Sequence, residues 1–211
     1  MSECCGNGAR FDGASDAYKR RLWIVIALNA VMFLVEMGAG QLAKSQALQA
    51  DALDFLGDSL TYGVSLAVIG ASLRMKTNAA LAKGTSLLVM GLYVFGSTVY
   101  RVFFVGVPTA EIMGLVGLLA LAVNLASVML LVRYKDGDAN VRSVWLCSRN
   151  DAIGNVAVMI AALGVWGTAT GWPDIIVAAV MATLFLSSAF QIIAQALRER
   201  REITGRDHTP A

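Results

Sequence analysis

Histidine, cysteine and charge are all scarce in this 211-residue chain, and each scarcity removes a class of explanation. The single histidine, His208, lies near the C-terminus and reads as a solvated tail residue, so any metal site must be built from carboxylates and thiols. The three cysteines make no disulfide framework, because Cys4 and Cys5 are adjacent near the N-terminus and Cys147 falls inside an apolar stretch. Cys4 and Cys5 could capture a soft metal, but they read as part of a tail of minor function. Charged residues make up 15% of the chain, against about 25% in a typical soluble domain. The net charge of +2 is too small to argue for a nucleic-acid partner. No secretory leader is expected, because the first twenty residues are polar and include Glu3, Asp12 and Asp16, so the first apolar segment should persist as a helix.

What the chain has in quantity is apolar surface: 57% of residues are hydrophobic, and the mean hydropathy is +0.63. Crossing about 30 Å of hydrocarbon takes about 20 residues of helix, and six segments qualify, at 22–42, 47–73, 79–104, 112–132, 144–166 and 175–197. The fold expected is an all-α membrane protein of six transmembrane helices joined by short connections, with Gly106, Pro108 and Glu111 punctuating the third. The domains are an N-terminal cytoplasmic tail (1–21), a transmembrane domain (22–197) and a C-terminal cytoplasmic tail (198–211). Of the 17 lysines and arginines, all but Lys44, Arg101 and Arg149 fall in the tails and on the side of the connections that faces the cytoplasm if the N-terminus is inside. Both termini are therefore expected to be cytoplasmic, in the inner (plasma) membrane.

Two polar stretches interrupt this pattern, A-D-A-L-D-F-L-G-D (50–58) and C-S-R-N-D (147–151). An aspartate at the centre of a spanning helix costs about 2.5–3.5 kcal/mol, so Asp54, Asp58 and Asp151 together would cost about 8–10 kcal/mol if nothing offset them. A bound cation is the simplest offset. Asp54 and Asp58 are four apart, as are Cys147 and Asp151, so each pair shares a helix face. Facing one another, the pairs make a four-ligand site of thiolate and carboxylates, suited to a tetrahedral divalent ion of zinc type. A single intramembrane aspartate could merely bond a neighbouring helix, but two such pairs on two helices are harder to explain that way.

Other polar residues extend the pattern. Asn29 and Glu36 lie on nearly one face of the first helix and read as a packing pair, although Glu36 could instead help to release a cation or receive a proton. Asp51, seven before Asp58, continues a carboxylate stripe toward the outer surface, yet its position near a helix N-terminus favours a hydrated carboxylate there. Asn155, one turn beyond Asp151, suits hydrogen bonding to a ligating carboxylate. Arg149 is about 200° from Cys147 around the helix and should snorkel to the cytoplasmic interface. Tyr93, Tyr100, Arg101, Gln191 and Gln195 read as scaffold. Small residues, as in Gly91 with Gly96 and the alanines between 178 and 189, permit close helix approach.

These residues resemble the cation diffusion facilitator family. The likeness covers nearly the whole chain, through S-Q-A-L-Q-A-D-A-L-D-F-L-G-D on the second helix, N-D-A-I-G-N-V on the fifth and G-W-P-D at the start of the sixth. Family members commonly carry H/D-x-x-x-D on the second and fifth helices, so the resemblance implies that Asp54, Asp58, Cys147 and Asp151 bind a transported metal. Cys147 stands where the family usually has His or Asp. The family's usual cytoplasmic metal-binding domain is not seen after the sixth helix, which suggests a form without it, dimerising through membrane helices, chiefly the third. The implied activity is export of a divalent transition metal, Zn²⁺ first and Cd²⁺ second, by proton antiport, with no cofactor and no enzymatic step. Four anionic ligands would leave a net −2 around a bound Zn²⁺, so one ligand is expected to stay protonated or Asn155 to share the load. Alternatives are a carrier of Mn²⁺, Fe²⁺ or Co²⁺ in which Asp51 completes the acid set and, from other classes, an intramembrane aspartyl protease or a non-transporting scaffold. No G-x-G-D motif supports the protease.

Overall fold

The structure, a computed structural model, describes residues 15–69, 73–104, 106–136 and 139–207. Cys4, Cys5 and His208, and with them the reading of both tail ends, lie outside the described residues. The described residues form six α-helices: α1 (Asp16–Ala43), α2 (Gln46–Ala67), α3 (Leu73–Phe103), α4 (Ala110–Leu131), α5 (Ala139–Thr168) and α6 (Trp172–Asp207). Each expected span falls on one of them, and the described residues contain no strand. The sixth helix runs on to Asp207, past the apolar span expected to end at 197, while the second stops at Ala67 although the apolar run continues to residue 73. Apolarity alone carries no stop signal. The helix ends where the Val68 N–H turns back to the Val64 carbonyl at 3.0 Å.

Local chemistry sets the helix starts. The hydroxyl of Ser15 accepts from the Tyr18 N–H at 3.3 Å, and that of Ser45 accepts from the Leu48 N–H at 3.0 Å, so each serine satisfies one of the donors a helix N-terminus leaves unpaired. Between α1 and α2 the chain reverses in two residues, with Lys44 in the left-handed region at φ 57°.

The helices associate in two groups. α1, α2, α4 and α5 pack together, and α3 packs chiefly along α6. Close approach of that second pair depends on Gly84 and Gly91: a Cβ at the first would stand 2.6 Å from Ile193, and one at the second 2.9 Å from Leu186. At one end of the bundle Tyr18, Leu22, Val25, Tyr62, Leu131 and Val144 form an apolar core. This is the basic end, where Arg21 donates to the Leu130 carbonyl at 3.0 Å and stacks over Tyr134. At the opposite end Ala43, Leu48, Met113, Val158 and Val165 form a second core.

The distribution of polarity is the reverse of that in a soluble bundle. Leu34, Leu42, Met129 and Phe190 are 69–78% exposed, while Asn29, Glu36, Asp51, Asp58, Asn124 and Asn155 are buried. Lipid is the solvent in which that arrangement is stable, because it accepts apolar side chains and rejects ionisable ones. Among the described residues five helices are long and apolar enough to cross a membrane, and α2 is the exception because it carries Asp51, Asp54 and Asp58. Being mostly buried among its neighbours, α2 needs little apolarity of its own. The protein is a multi-pass integral membrane protein.

Candidate functional site

A cavity of about 830 Å³ lies between α2, α3, α5 and α6. Its lining includes Asp54, Asp58, Cys147 and Asp151, with Lys83 and Glu199 toward the basic end. The helix geometry explains the convergence: Asp54 and Asp58 sit one turn apart on α2, Cys147 and Asp151 one turn apart on α5, and both faces look into the same space. The Asp151 carboxyl is within side-chain hydrogen-bonding reach of both Asp54 and Asp58. Cys147 is a half-buried free thiol on the same wall. Among the described residues, no three Asp, Glu, Cys or His groups stand in a finished coordination shell, so closing around an ion requires side chains to rotate.

Asp58 is held from below. The Tyr62 hydroxyl donates to Asp58 Oδ2 and lies 3.2 Å from Ser148 Oγ, linking α2 to α5 directly beneath the carboxylates. Tyr62 is itself fixed in the apolar core of the basic end. Its place was legible in principle, since 54, 58 and 62 are one i,i+4 series, but a tyrosine in an apolar helix carries no signal on its own.

Lys83 was grouped by sequence with the cytoplasmic basic residues, and the structure moves it into the cavity. Its ammonium donates to Ser65 Oγ at 3.2 Å and lies within electrostatic reach of Cys147 and Asp58. A lysine near a helix start reads as an interfacial anchor, and only the pairing of α3 with α6 across the cavity shows otherwise. Gln195, read as scaffold, also lines the cavity and donates to Glu199 Oε1 at 2.9 Å. Arg149 is exposed and stacks over Trp145 at 5.6 Å.

The outer residues depart further from expectation. Asp51 is 1% exposed and therefore not a hydrated surface carboxylate. The reason is that the N-terminus of α2 is itself covered: Asp174 of α6 accepts from Ser45 Oγ at 2.6 Å, from Gln46 N at 2.8 Å and from Ala47 N at 3.0 Å. Asp51 instead lies within side-chain hydrogen-bonding reach of Glu36. The expected packing pair of Asn29 and Glu36 is replaced by separate partners, since the Asn29 amide donates to the Val25 carbonyl of its own helix at 2.8 Å. Asn155 is fully buried, and neither atom of its amide has a hydrogen-bond partner among the described residues.

The family model described as "Cation efflux transmembrane domain" matches residues 22–199. A "Zinc transporter ZitB" from Yersinia pestis is 29% identical over 208 residues, covering 90% of this chain and 65% of the relative. A "Cadmium, cobalt and zinc/H(+)-K(+) antiporter" from Bacillus subtilis (strain 168) is 25% identical, covering 83% of this chain and 61% of its own length. A "Metal cation efflux system protein CzcD" from Cupriavidus metallidurans is 25% identical, with 85% of this chain and 60% of the relative covered. The chain thus spans somewhat under two thirds of the length of these curated relatives.

Proposed function

The chain belongs to the cation efflux family, and on that premise we propose that it exports a divalent transition metal, Zn²⁺ first and Cd²⁺ second, from the cytoplasm in exchange for protons. The observation that carries the reading is the meeting of three carboxylates and a thiol from two helices in one cavity inside a lipid-facing bundle. Asp54, Asp58, Cys147 and Asp151 are the proposed ligands of the transported ion. Such a site is costly when empty and charged, and a dication relieves the cost.

The proton side of the exchange follows from the same ligands. Carboxylates and a thiol bind metal only when deprotonated, so loading releases protons and unloading takes them up. A site that faces the cytoplasm and then the opposite side therefore trades metal for H⁺. Lys83 bears on the charge balance: its ammonium stands within electrostatic reach of Asp58 and Cys147 and offsets part of the negative charge of the empty site, a role that an arriving dication takes over.

Toward the cytoplasm the cavity runs past Lys83 to Glu199. At the opposite end the apolar core around Leu48 and Val158 stands between the site and the exterior. This is an arrangement for loading from inside. Export then requires the two helix groups to rock so that the apolar plug parts and the inner cavity shuts. The reading with a harder ion needs Asp51 in the acid set, whereas Asp51 does not line the cavity that holds Asp54, Asp58 and Asp151. A protease dyad would use two aspartates, whereas three carboxyls share this site.

The decisive test is flux into proteoliposomes across a panel of Zn²⁺, Cd²⁺, Co²⁺, Fe²⁺ and Mn²⁺, with and without a pH gradient. Zn²⁺ flux that is driven by the gradient supports the proposal. Absence of metal flux under every gradient would overturn it.

A further inference from the structure

Among the described residues, three buried side chains outside the cavity that carry unpartnered polar atoms lie on the outer half of the protein. Glu36 is 0% exposed, Asp51 1% and Asn155 0%. Both carboxyl oxygens of Glu36, Oδ2 of Asp51 and both amide atoms of Asn155 lack a hydrogen-bond donor or acceptor among the described residues. Buried polar groups are paired in more than about 90% of cases, so this concentration of orphans calls for an explanation.

The packing register places the three at one level. On α1, Met32 packs against Phe55 of α2, and Gly40 meets Leu48 and Gln49, so the stretch between brings Glu36 opposite Asp51. On α5, Asn155 lies between Asp151, which faces Asp54 and Asp58, and Val158, which packs with Leu48. Glu36 and Asp51 are within side-chain hydrogen-bonding reach, and Asp54 is within electrostatic reach of both. None of the three lines the inner cavity, and the Leu48, Met113 and Val158 plug lies beyond them.

We propose that Glu36, Asp51 and Asn155 form a second, oxygen-only site for a divalent cation, on the exit side of the first. The inference rests on the transport reading given above and adds a direction to it. Two carboxyls this close, with no other protein donor between them, need a positive species between them, a proton or a metal ion. The carboxamide oxygen of Asn155 supplies a third donor of the kind that coordinates a dication. Asp54 is the hinge of the arrangement: it belongs to the inner site and is close to the outer one, so an ion can pass outward without losing every ligand at once.

The two sites also differ in chemistry. The inner one includes a soft thiol, which favours Zn²⁺ and Cd²⁺; the outer one has only hard oxygens, which hold those ions less well. An ion that moves outward therefore moves down in affinity, which favours its release once the plug opens. This is how a site strong enough to capture metal at low cytoplasmic concentration can still let go of it.

Mn²⁺ is the suitable probe because it prefers oxygen ligands, and its binding is read directly by electron paramagnetic resonance on the full-length protein in nanodiscs. With the inner site crippled by Cys147→Ser and Asp151→Asn, one Mn²⁺ should still bind, and adding Glu36→Gln or Asp51→Asn should weaken it by at least about tenfold. Glu36→Gln in the otherwise native protein should leave Cd²⁺ binding at the inner site within about threefold of wild type. Thermal melting and gel filtration of each variant establish that it is folded. If the crippled protein binds no Mn²⁺, or if neither outer substitution weakens it, the pair holds a shared proton and the proposal is wrong. Asp58→Ala separates the two levels: Cd²⁺ affinity unchanged by that substitution refutes the inner site and the transport reading, whatever the Mn²⁺ result.

Discussion

Ser45 Oγ donates a 2.6 Å hydrogen bond to Asp174 Oδ1, joining the start of α2 to the start of α6. The same carboxylate also takes the N–H groups of Gln46 and Ala47, so a side chain 127 or more residues away caps the helix that carries half of the proposed metal ligands. The bond crosses from one helix group to the other at the outer end, where the bundle is shut. Asp174→Ala should lower stability by about 2–3 kcal/mol, since it strands buried donors as well as removing a cap. Asp174→Asn, which keeps one acceptor, should lose less. Melting of the nanodisc-embedded protein measures both, and equal melting temperatures for wild type and Asp174→Ala would contradict this account.

At the inner site, Asp58→Ala and Asp151→Ala should each abolish metal flux while leaving the protein folded. Removing a carboxylate that is buried among other carboxylates removes a desolvation cost and a repulsion, so the metal-free variants should melt no lower than wild type. The stabilisation that Zn²⁺ confers on wild type should vanish in both, because ligand stabilisation scales with affinity for the folded state. Tyr62→Phe should fall between, keeping both ligands but freeing Asp58 from its anchor. Near-normal Zn²⁺ flux by either alanine variant would remove these residues from the site.

What sequence alone could reach, and what it could not, divides along a physical line. Periodicity and length located six helices, and i,i+4 spacing brought Asp54 with Asp58 and Cys147 with Asp151, because both signals are local to one helix. The partners of Asp51, Lys83 and Asp174 are set by how helices stack, and no local pattern encodes that. Asp51 looked hydrated because its helix begins only a few residues earlier; the covering of that N-terminus by α6 is a contact across more than 120 residues. Lys83 looked interfacial because lysine near a helix end usually is. Its reach into the cavity depends on α3 lying against α6, with Gly84 and Gly91 at the contact.

Lys83 provides a prediction of its own. Its ammonium occupies the inner cavity within electrostatic reach of Asp58 and Cys147, so it offsets part of their charge while the site is empty and repels an arriving dication. Lys83→Met and Lys83→Gln should tighten Zn²⁺ binding from the cytoplasmic side by about tenfold, and Lys83→Arg should resemble wild type. Calorimetry on the purified protein at fixed pH and low ionic strength is the measurement. Binding that is unchanged or weaker in both neutral variants would show that Lys83 acts only as a strap to Ser65.

Self-association should use α3. One face of that helix is committed to α6 through Gly84 and Gly91, while Tyr93, Phe95, Tyr100 and Phe103 on its remaining surface are 50–77% exposed. Cysteines placed at Tyr93 or Tyr100 should crosslink two copies in membranes, and native mass measurement in nanodiscs should find a dimer. A protein that is wholly monomeric and still transports would exclude a functional role for that face.

The last prediction concerns Cys147, the thiol on the cavity wall. A thiolate favours Cd²⁺ and Zn²⁺ over Mn²⁺ more than imidazole or carboxylate does, so selectivity should follow the residue placed there. Cys147→His should keep Zn²⁺ flux and weaken Cd²⁺ relative to it. Cys147→Asp should move preference toward harder ions, and Cys147→Ser should lower Zn²⁺ affinity by removing a charged ligand with little change in volume. Proton release is an independent measure, because a metal bound to a thiol deprotonates it outright. Wild type should therefore release about one more proton per metal than Cys147→Ser, read by calorimetry in buffers of different ionisation enthalpy. The position on α5 makes the test specific: Cys147 is one turn from Asp151 and within electrostatic reach of Lys83, so losing the thiolate changes both the ligand count and the balance against that ammonium. If Cys147→Ser matches wild type in Cd²⁺ affinity, Zn²⁺ affinity and proton release, the thiol is a wall residue, and the fourth donor to the ion is water.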